Sequence, residues 1–153
     1  MADNSGVTFT GAGFVSAGIN FTTLTTVSSN RVWSTGNDGR GQQGTGCAGS
    51  TCGFVRIGSF TNVSKALAGP TAEHAVSLQI DTSARGWGRN EYGQVGNGST
   101  SDQCSRATVV NGSGSAITGF TGVSGGGLHS LGLKSDGTAW SWGDNTFGQL
   151  GRT

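Results

Sequence analysis

Charge is scarce in this sequence: Asp, Glu, Lys and Arg make up 11% of 153 residues, where soluble domains typically carry about 25%. Nine basic side chains stand against eight acidic ones. No segment gathers the Lys/Arg stripe that displaces counterions from a nucleic-acid backbone, so nucleic acid is not an expected partner. Long apolar runs are missing too. None approaches the roughly 18 residues of a membrane span, and the start, MADNSG, has neither the basic end nor the apolar stretch of a secretory signal. The expectation is a soluble protein, not inserted in a membrane and not exported by the usual signal. A sustained 3.6-residue apolar period is also absent, which leaves no long amphipathic helix to predict.

What the chain has instead is glycine, at 30 positions against a single proline, with Ser, Thr and Asn filling much of the rest. Such material suits turns and strands. It also suits disordered linkers, but those show no register, whereas here aromatic and aliphatic residues return at fixed offsets from recurring glycines.

The recurrence centres on a nine-residue phrase said three times: GNDGRGQQG at Gly36–Gly44, GRNEYGQVG at Gly88–Gly96 and GDNTFGQLG at Gly143–Gly151. The starts lie 52 and 55 residues apart. In the third copy VSGGGLHSLGL runs from Val123 to Leu133, and SDGTAWSWG from Ser135 leads into the phrase. Trp140 and Trp142 alternate with Ser141, the period of a strand with one buried face, and Asp136-Gly137 is a hairpin turn signal. The second copy passes through Pro70 to His74, Val76 and Leu78, turns near Asp81-Thr82 and reaches Trp87-Gly88. The first keeps VSAG at Val15–Gly18, places Phe21 where the others have histidine, and arrives at Val32-Trp33. A further strand is predicted ahead of each copy, in VTFTG (Val7–Gly11), IGSFTNVS (Ile57–Ser64) and ITGFTGVS (Ile117–Ser124). This predicts an all-β chain with about four short strands per unit: a single repeat domain over residues 1–153 with approximate units 7–53, 54–112 and 113–153.

The string VSGGGLHSLGLKSDGTAWSWGDNTFGQLG resembles the repeat of the regulator of chromosome condensation family. The likeness is clear again from Trp87 to Gly96 and degenerate in the first copy. It implies a propeller-type array of about three four-stranded antiparallel blades. Family members usually close with seven blades, so three form an open arc with two uncovered terminal sheets, a pairing hazard. The arc is expected to be completed by self-association first, or else by another protein or as a piece of something longer.

The candidate chemical sites dissolve into this frame. GRGQQG at Gly39–Gly44 matches the dinucleotide fingerprint formally, but Cys47-Ala48-Gly49-Ser50 follows where a helix is required. Gly93, Gly96, Gly148 and Gly151 repeat the same glycines, marking them as turn residues. His129-Ser130 and His74 suggest a base beside a nucleophile, yet adjacent strand residues point to opposite faces. The expected role of the histidines is architectural, a buried imidazole bonded to neighbouring backbone, in keeping with the ring of Phe21. Cys52 and Cys104 sit eight residues after their phrases, at equivalent places in successive units, generally too far apart for a disulfide. Free thiols are expected, with Cys47–Cys52 as the bridge an oxidising setting would allow. Three cysteines and two histidines offer no zinc spacing. Asp38, Asp81, Asp136 and Asp144 lie at turns and form no calcium loop. The sequons at Asn20, Asn62, Asn97 and Asn111 are what an Asn/Ser/Thr-rich chain makes by chance. No catalytic, cofactor-binding or metal residue is assigned, and no cofactor is expected.

The expected function is a non-catalytic structural or protein-interaction module, making its contacts through the irregular segments Thr45–Gly53 and Asn97–Ser115. Low charge with abundant Gly, Ser and Thr resembles proteins of phage particles and external appendages. A virion or cell-exterior component that meets a host is therefore favoured over a cytoplasmic one. The alternative that the resemblance implies is guanine-nucleotide exchange on a small GTPase, without the basic tail or the seven repeats.

Overall fold

The computed structural model describes residues 10–47, 49, 51–57 and 61–152. Among these residues every regular element is a strand. The first sheet is β1 (Ala12–Ala17), β2 (Phe21–Thr26), β3 (Arg31–Gly36) and β4 (Thr51–Arg56). The second is β5 (Val63–Leu67), β6 (His74–Gln79), β7 (Ala84–Gly88) and β8 (Gln103–Thr108). The third has three strands: β9 (Phe120–Gly125), β10 (His129–Lys134) and β11 (Ala139–Gly143). All neighbours pair antiparallel in chain order, the arrangement of a propeller blade.

The turns form where local chemistry demands them. Asp81 closes the β6–β7 hairpin by accepting from the Ser83 N–H at 3.0 Å and its hydroxyl at 2.6 Å. Asp136 does the same with Thr138 in the β10–β11 hairpin, at 2.9 and 2.6 Å. These are side-chain mimics of a backbone turn. At the far end of each hairpin, Phe21, His74 and His129 stand directly opposite Gly36, Gly88 and Gly143. The three glycines share a left-handed backbone, with φ of 110°, 99° and 103°. A Cβ at Gly88 would lie 2.6 Å from the Glu73 carbonyl and 2.8 Å from His74 Cα. Conformation and space both require glycine there.

The fourth strand of each complete sheet comes from an unexpected place. It follows the phrase, as β4 and β8, inside or beside the segments read from sequence as irregular contact loops. The strands expected ahead of each copy are the inner strands themselves, displaced toward the chain's end. Thr10 and Gly11 are not in a strand, and β5 begins only at Val63 and β9 at Phe120. Val7–Phe9 and Gly58–Phe60 lie outside the described residues. QCSRAT lacks alternation because this outer strand buries neither face fully; β8 is half-buried along most of its length.

The core lies between sheets. Phe21 and Val32 of the first sheet cluster with Val63, Ala66, Ala75 and Trp87 of the second. Val76, Leu78 and Ala84 of the second cluster with Phe120 and Val123 of the third. Accordingly β5 packs on β1, β2 and β3, and β9 on β5 and β6. The arc does not close: Val15 is 66% exposed at one end, and Leu131 and Leu133 are 42% and 50% exposed at the other.

Two glycine replacements separate conformational from steric cost. Gly137→Ala, at φ 85° with open space around it, is expected to cost about 1 kcal/mol. Gly88→Ala meets backbone as well and is expected to cost roughly 3 kcal/mol or to prevent folding. Urea titration of the two variants reads the difference; equal losses contradict the close approach at Gly88.

Candidate functional site

Each phrase is a self-contained knot of backbone held by two polar side chains. The residue in its third position accepts an N–H five residues on: Asp38 from Gln43 at 2.9 Å, Asn90 from Val95 at 2.9 Å and Asn145 from Leu150 at 3.0 Å. The glutamine in its seventh position accepts an N–H two residues back. Gln42 takes that of Arg40 at 2.8 Å, Gln94 that of Tyr92 at 2.9 Å and Gln149 that of Phe147 at 2.8 Å. Asp38, Gln42, Asn90 and Gln94 are almost wholly buried, so their polarity serves the fold.

The knot presents the glutamine carbonyl to the next blade. The Trp87 indole N–H donates to the Gln42 carbonyl at 2.9 Å, and Trp142 donates to that of Gln94 at 2.9 Å. Each indole lies over the last glycine of the phrase. A Cβ at Gly44 would be 3.0 Å from Trp87 Cδ1, and one at Gly96 2.7 Å from Trp142 Nε1. The glycines that imitate a nucleotide fingerprint therefore form a seam between blades.

The histidines belong to this seam. His74 and Ser130 are fully buried and meet across the second seam, Nε2 to Oγ at 2.8 Å. Ser130 Oγ is also 2.9 Å from the Gln94 carbonyl. A carbonyl can only accept, so the hydroxyl donates to it and His74 Nε2–H donates to the hydroxyl. The sequence predicts a backbone partner; the structure supplies a side chain from the next blade. A His–Ser pair does form, but between sheets, and its hydroxyl is sealed from any substrate. At the first seam the equivalent pair is Phe21 and Ala75, which share an apolar cluster. Ring and partner thus change together from apolar to hydrogen-bonded. Burial first, then the neighbouring His129, lowers the His74 pKa to about 4.

The cysteine expectation is corrected. Cys47 pairs with Cys104, Cα to Cα 4.9 Å, across 57 residues. Cys47 leaves the strand frame in a left-handed turn, φ 56°, and reaches β8 of the next blade, where the Gly46 N–H donates to the Cys104 carbonyl at 2.8 Å. The bridge therefore joins positions that are not equivalent in their units; the Cys52 side chain lies outside the described residues. Arg40 adds an ion pair to Asp102 at 3.2 Å across the same junction.

The remaining sequence candidates are turn residues. Asn97 and Asn111 accept backbone N–H groups within their own loops. The hydroxyls of Ser83, Thr138 and Thr146 lower the pKa values of Asp81, Asp136 and Asp144 respectively. Among the described residues no three His, Cys, Asp or Glu side chains gather as metal ligands. What the geometry does offer is a rigid arc with two unlike ends. The third phrase repeats the knot with nothing over it: a Cβ at Gly151 would meet open space, and Phe147 is 90% exposed.

Successive antiparallel blades joined by such seams define a propeller-type repeat protein. The pattern named "Regulator of chromosome condensation (RCC1) repeat" matches residues 120–149. The zebrafish (Danio rerio) protein RCC2 homolog is 32% identical over 94 residues, which are 61% of this chain and 18% of that protein. The Arabidopsis thaliana ultraviolet-B receptor UVR8 is 37% identical over 51% of this chain and 17% of its own. Among solved structures, human WBSCR16 superposes with a TM-score of 0.77 at 23% identity, covering 92% of this chain and 35% of that one. Yeast (Saccharomyces cerevisiae) Prp20p gives 0.73 at 20% identity, over 93% and 34%. Residues 120–149 thus match an RCC1 repeat, and the chain spans a minor part of each of these relatives.

Two measurements probe the seams. A group whose folded pKa is depressed gives stability that is complete above its unfolded pKa and lost as pH falls. His74 is neutral in the fold, so stability is expected to decline between about pH 6.5 and 4 by roughly 3 kcal/mol. His74→Phe with Ser130→Ala, copying the first seam, is expected to flatten that decline in thermal melts across this range. Reduction of Cys47–Cys104 is expected to cost up to about 4 kcal/mol for a loop of this length. A melting temperature indifferent to reductant contradicts the bridge.

Proposed function

We propose that this chain is a non-catalytic protein-interaction module, an arc of RCC1-type propeller whose ends are covered by protein, either further copies of itself or another component of a larger assembly. The observation that carries this is the contrast between the seams and the ends. Both seams bury apolar clusters, while equivalent residues at the ends, Val15, Leu131 and Leu133, face solvent. The structurally similar yeast RCC1 (Prp20) has protein partners: it is seen bound to Kap60, and it binds Gsp1p and histones. A role as a virion or external-appendage component rests on the low charge and the Gly, Ser and Thr content. The Cys47–Cys104 bridge supports an oxidising setting of that kind.

The alternative, nucleotide exchange on a small GTPase, draws on the same family and is tested by release of a fluorescent guanine nucleotide. The proposed module is expected to leave that rate unchanged. Native mass spectrometry of the protein recovered from its source is expected to show a mass above 15.3 kDa; a lone chain overturns the reading.

A further inference from the structure

We infer that Asn111 is a self-modifying site: in the folded chain the Gly112 nitrogen closes on the Asn111 side chain, converting it to aspartate or isoaspartate without an enzyme, while the identical tripeptide at Asn97 resists the same step. Asn97-Gly98-Ser99 and Asn111-Gly112-Ser113 share their three residues. An asparagine before glycine suits this cyclisation because no Cβ crowds the attacking nitrogen. Local sequence therefore gives both sites one reactivity, and the fold separates them.

At Asn111 the hydrogen bonds favour the reacting carbonyl. Its Oδ1 accepts the Ser113 N–H at 3.0 Å, the Ser113 hydroxyl at 2.7 Å and the Ser115 N–H at 3.0 Å. Three donors on one amide oxygen make Cγ more electrophilic and stabilise the negative oxygen that forms when a nitrogen adds there. All three grip the oxygen, which stays, and not Nδ2, which leaves. The loop is closed around them by the Asn111 N–H to the Ser115 carbonyl and the Gly114 N–H to the Asn111 carbonyl, both 2.9 Å, so the donors are held in place. Gly112 is exposed, and a Cβ on it would meet nothing within 4 Å. There is room for a five-membered ring and for water.

At Asn97 the bonds oppose the step. Its Oδ1 accepts the Ser99 N–H at 3.2 Å and the Asn90 amide at 3.1 Å. The same Asn90 Nδ2 donates to the Ser99 and Ser101 carbonyls at 2.8 and 2.9 Å, and Asn90 is wholly buried at the centre of the second phrase. Turning the Asn97 side chain onto the Gly98 nitrogen takes an acceptor from a buried amide, a cost that Asn111 does not bear.

The reaction balances with water alone. The Gly112 nitrogen loses its proton and bonds to Cγ, the Cγ–Nδ2 bond breaks, and Nδ2 leaves as ammonia carrying a proton. Water then opens the succinimide at either carbonyl and leaves a new carboxylate. That charge brings the eight acidic side chains level with the nine basic ones, on the loop between β8 and β9. In so lightly charged a chain, one carboxylate alters the field that a partner meets.

Mass spectrometry of tryptic peptides during incubation at neutral pH tests the assignment, since cleavage after Arg106 puts the two sites in separate peptides. Asn111 is expected to convert at least about tenfold faster than Asn97 in the folded protein, and the two rates are expected to converge in urea. Ser113→Ala, at an exposed turn position, removes one donor and is expected to slow Asn111 several-fold while the melting curve still shows a folded protein. No conversion at Asn111, equal rates in the folded chain, a preference that persists in urea, or a folded Ser113→Ala variant converting at the wild-type rate would each overturn the inference.

Discussion

The bond from an indole N–H to a glutamine carbonyl across two blades is the constraint on which the rest depends. It requires the carbonyl to point outward, which requires the phrase to fold into its knot, which requires three left-handed glycines and an Asx and a Gln turned inward. It also requires the last glycine to lack a side chain, because the ring lies on it. A net contribution of about 1 kcal/mol for the hydrogen bond understates its role. An unpaired carbonyl at a buried seam would be the larger cost, and the indole removes that cost while filling the junction.

The seam explains why so many polar residues lie in the interior of so lightly charged a chain. Gln42, Gln94, Asn90 and Ser130 are buried and bond backbone groups of their own phrase or of the seam. The His74–Ser130 pair and its apolar counterpart Phe21–Ala75 show two solutions to the same contact. Among the described residues the disulfide and the Arg40–Asp102 ion pair reinforce the outer rim of the first seam and not of the second, so the two seams are fastened differently. A half-exposed ion pair adds little; the covalent link is the larger effect.

The two ends of the arc differ in chemistry. One offers Val15 and threonines; the other a complete knot, an apolar hollow and a histidine. A propeller section with unlike ends is directional.

The repeat, the all-β class, the hairpin turns and the glycine roles are legible in the sequence because each is local: a positive φ, an Asp-Gly turn or a period of two is written in consecutive residues. The reading of the phrase glycines as turn residues follows from the same recurrence. What the sequence does not disclose involves partners more than fifty residues away. His74 reads as bonding backbone, since nothing near it in the chain names Ser130. Cys47 reads as a free thiol, with Cys52 as the partner an oxidising setting would allow, because only the curvature of the arc brings it to Cys104. The outer strands β4 and β8 read as loops, because a strand at a blade's rim is half-wet and carries no alternation. Periodicity determined the unit; the packing of one unit on the next decided what each recurring position of the phrase, and each residue that breaks it, is for.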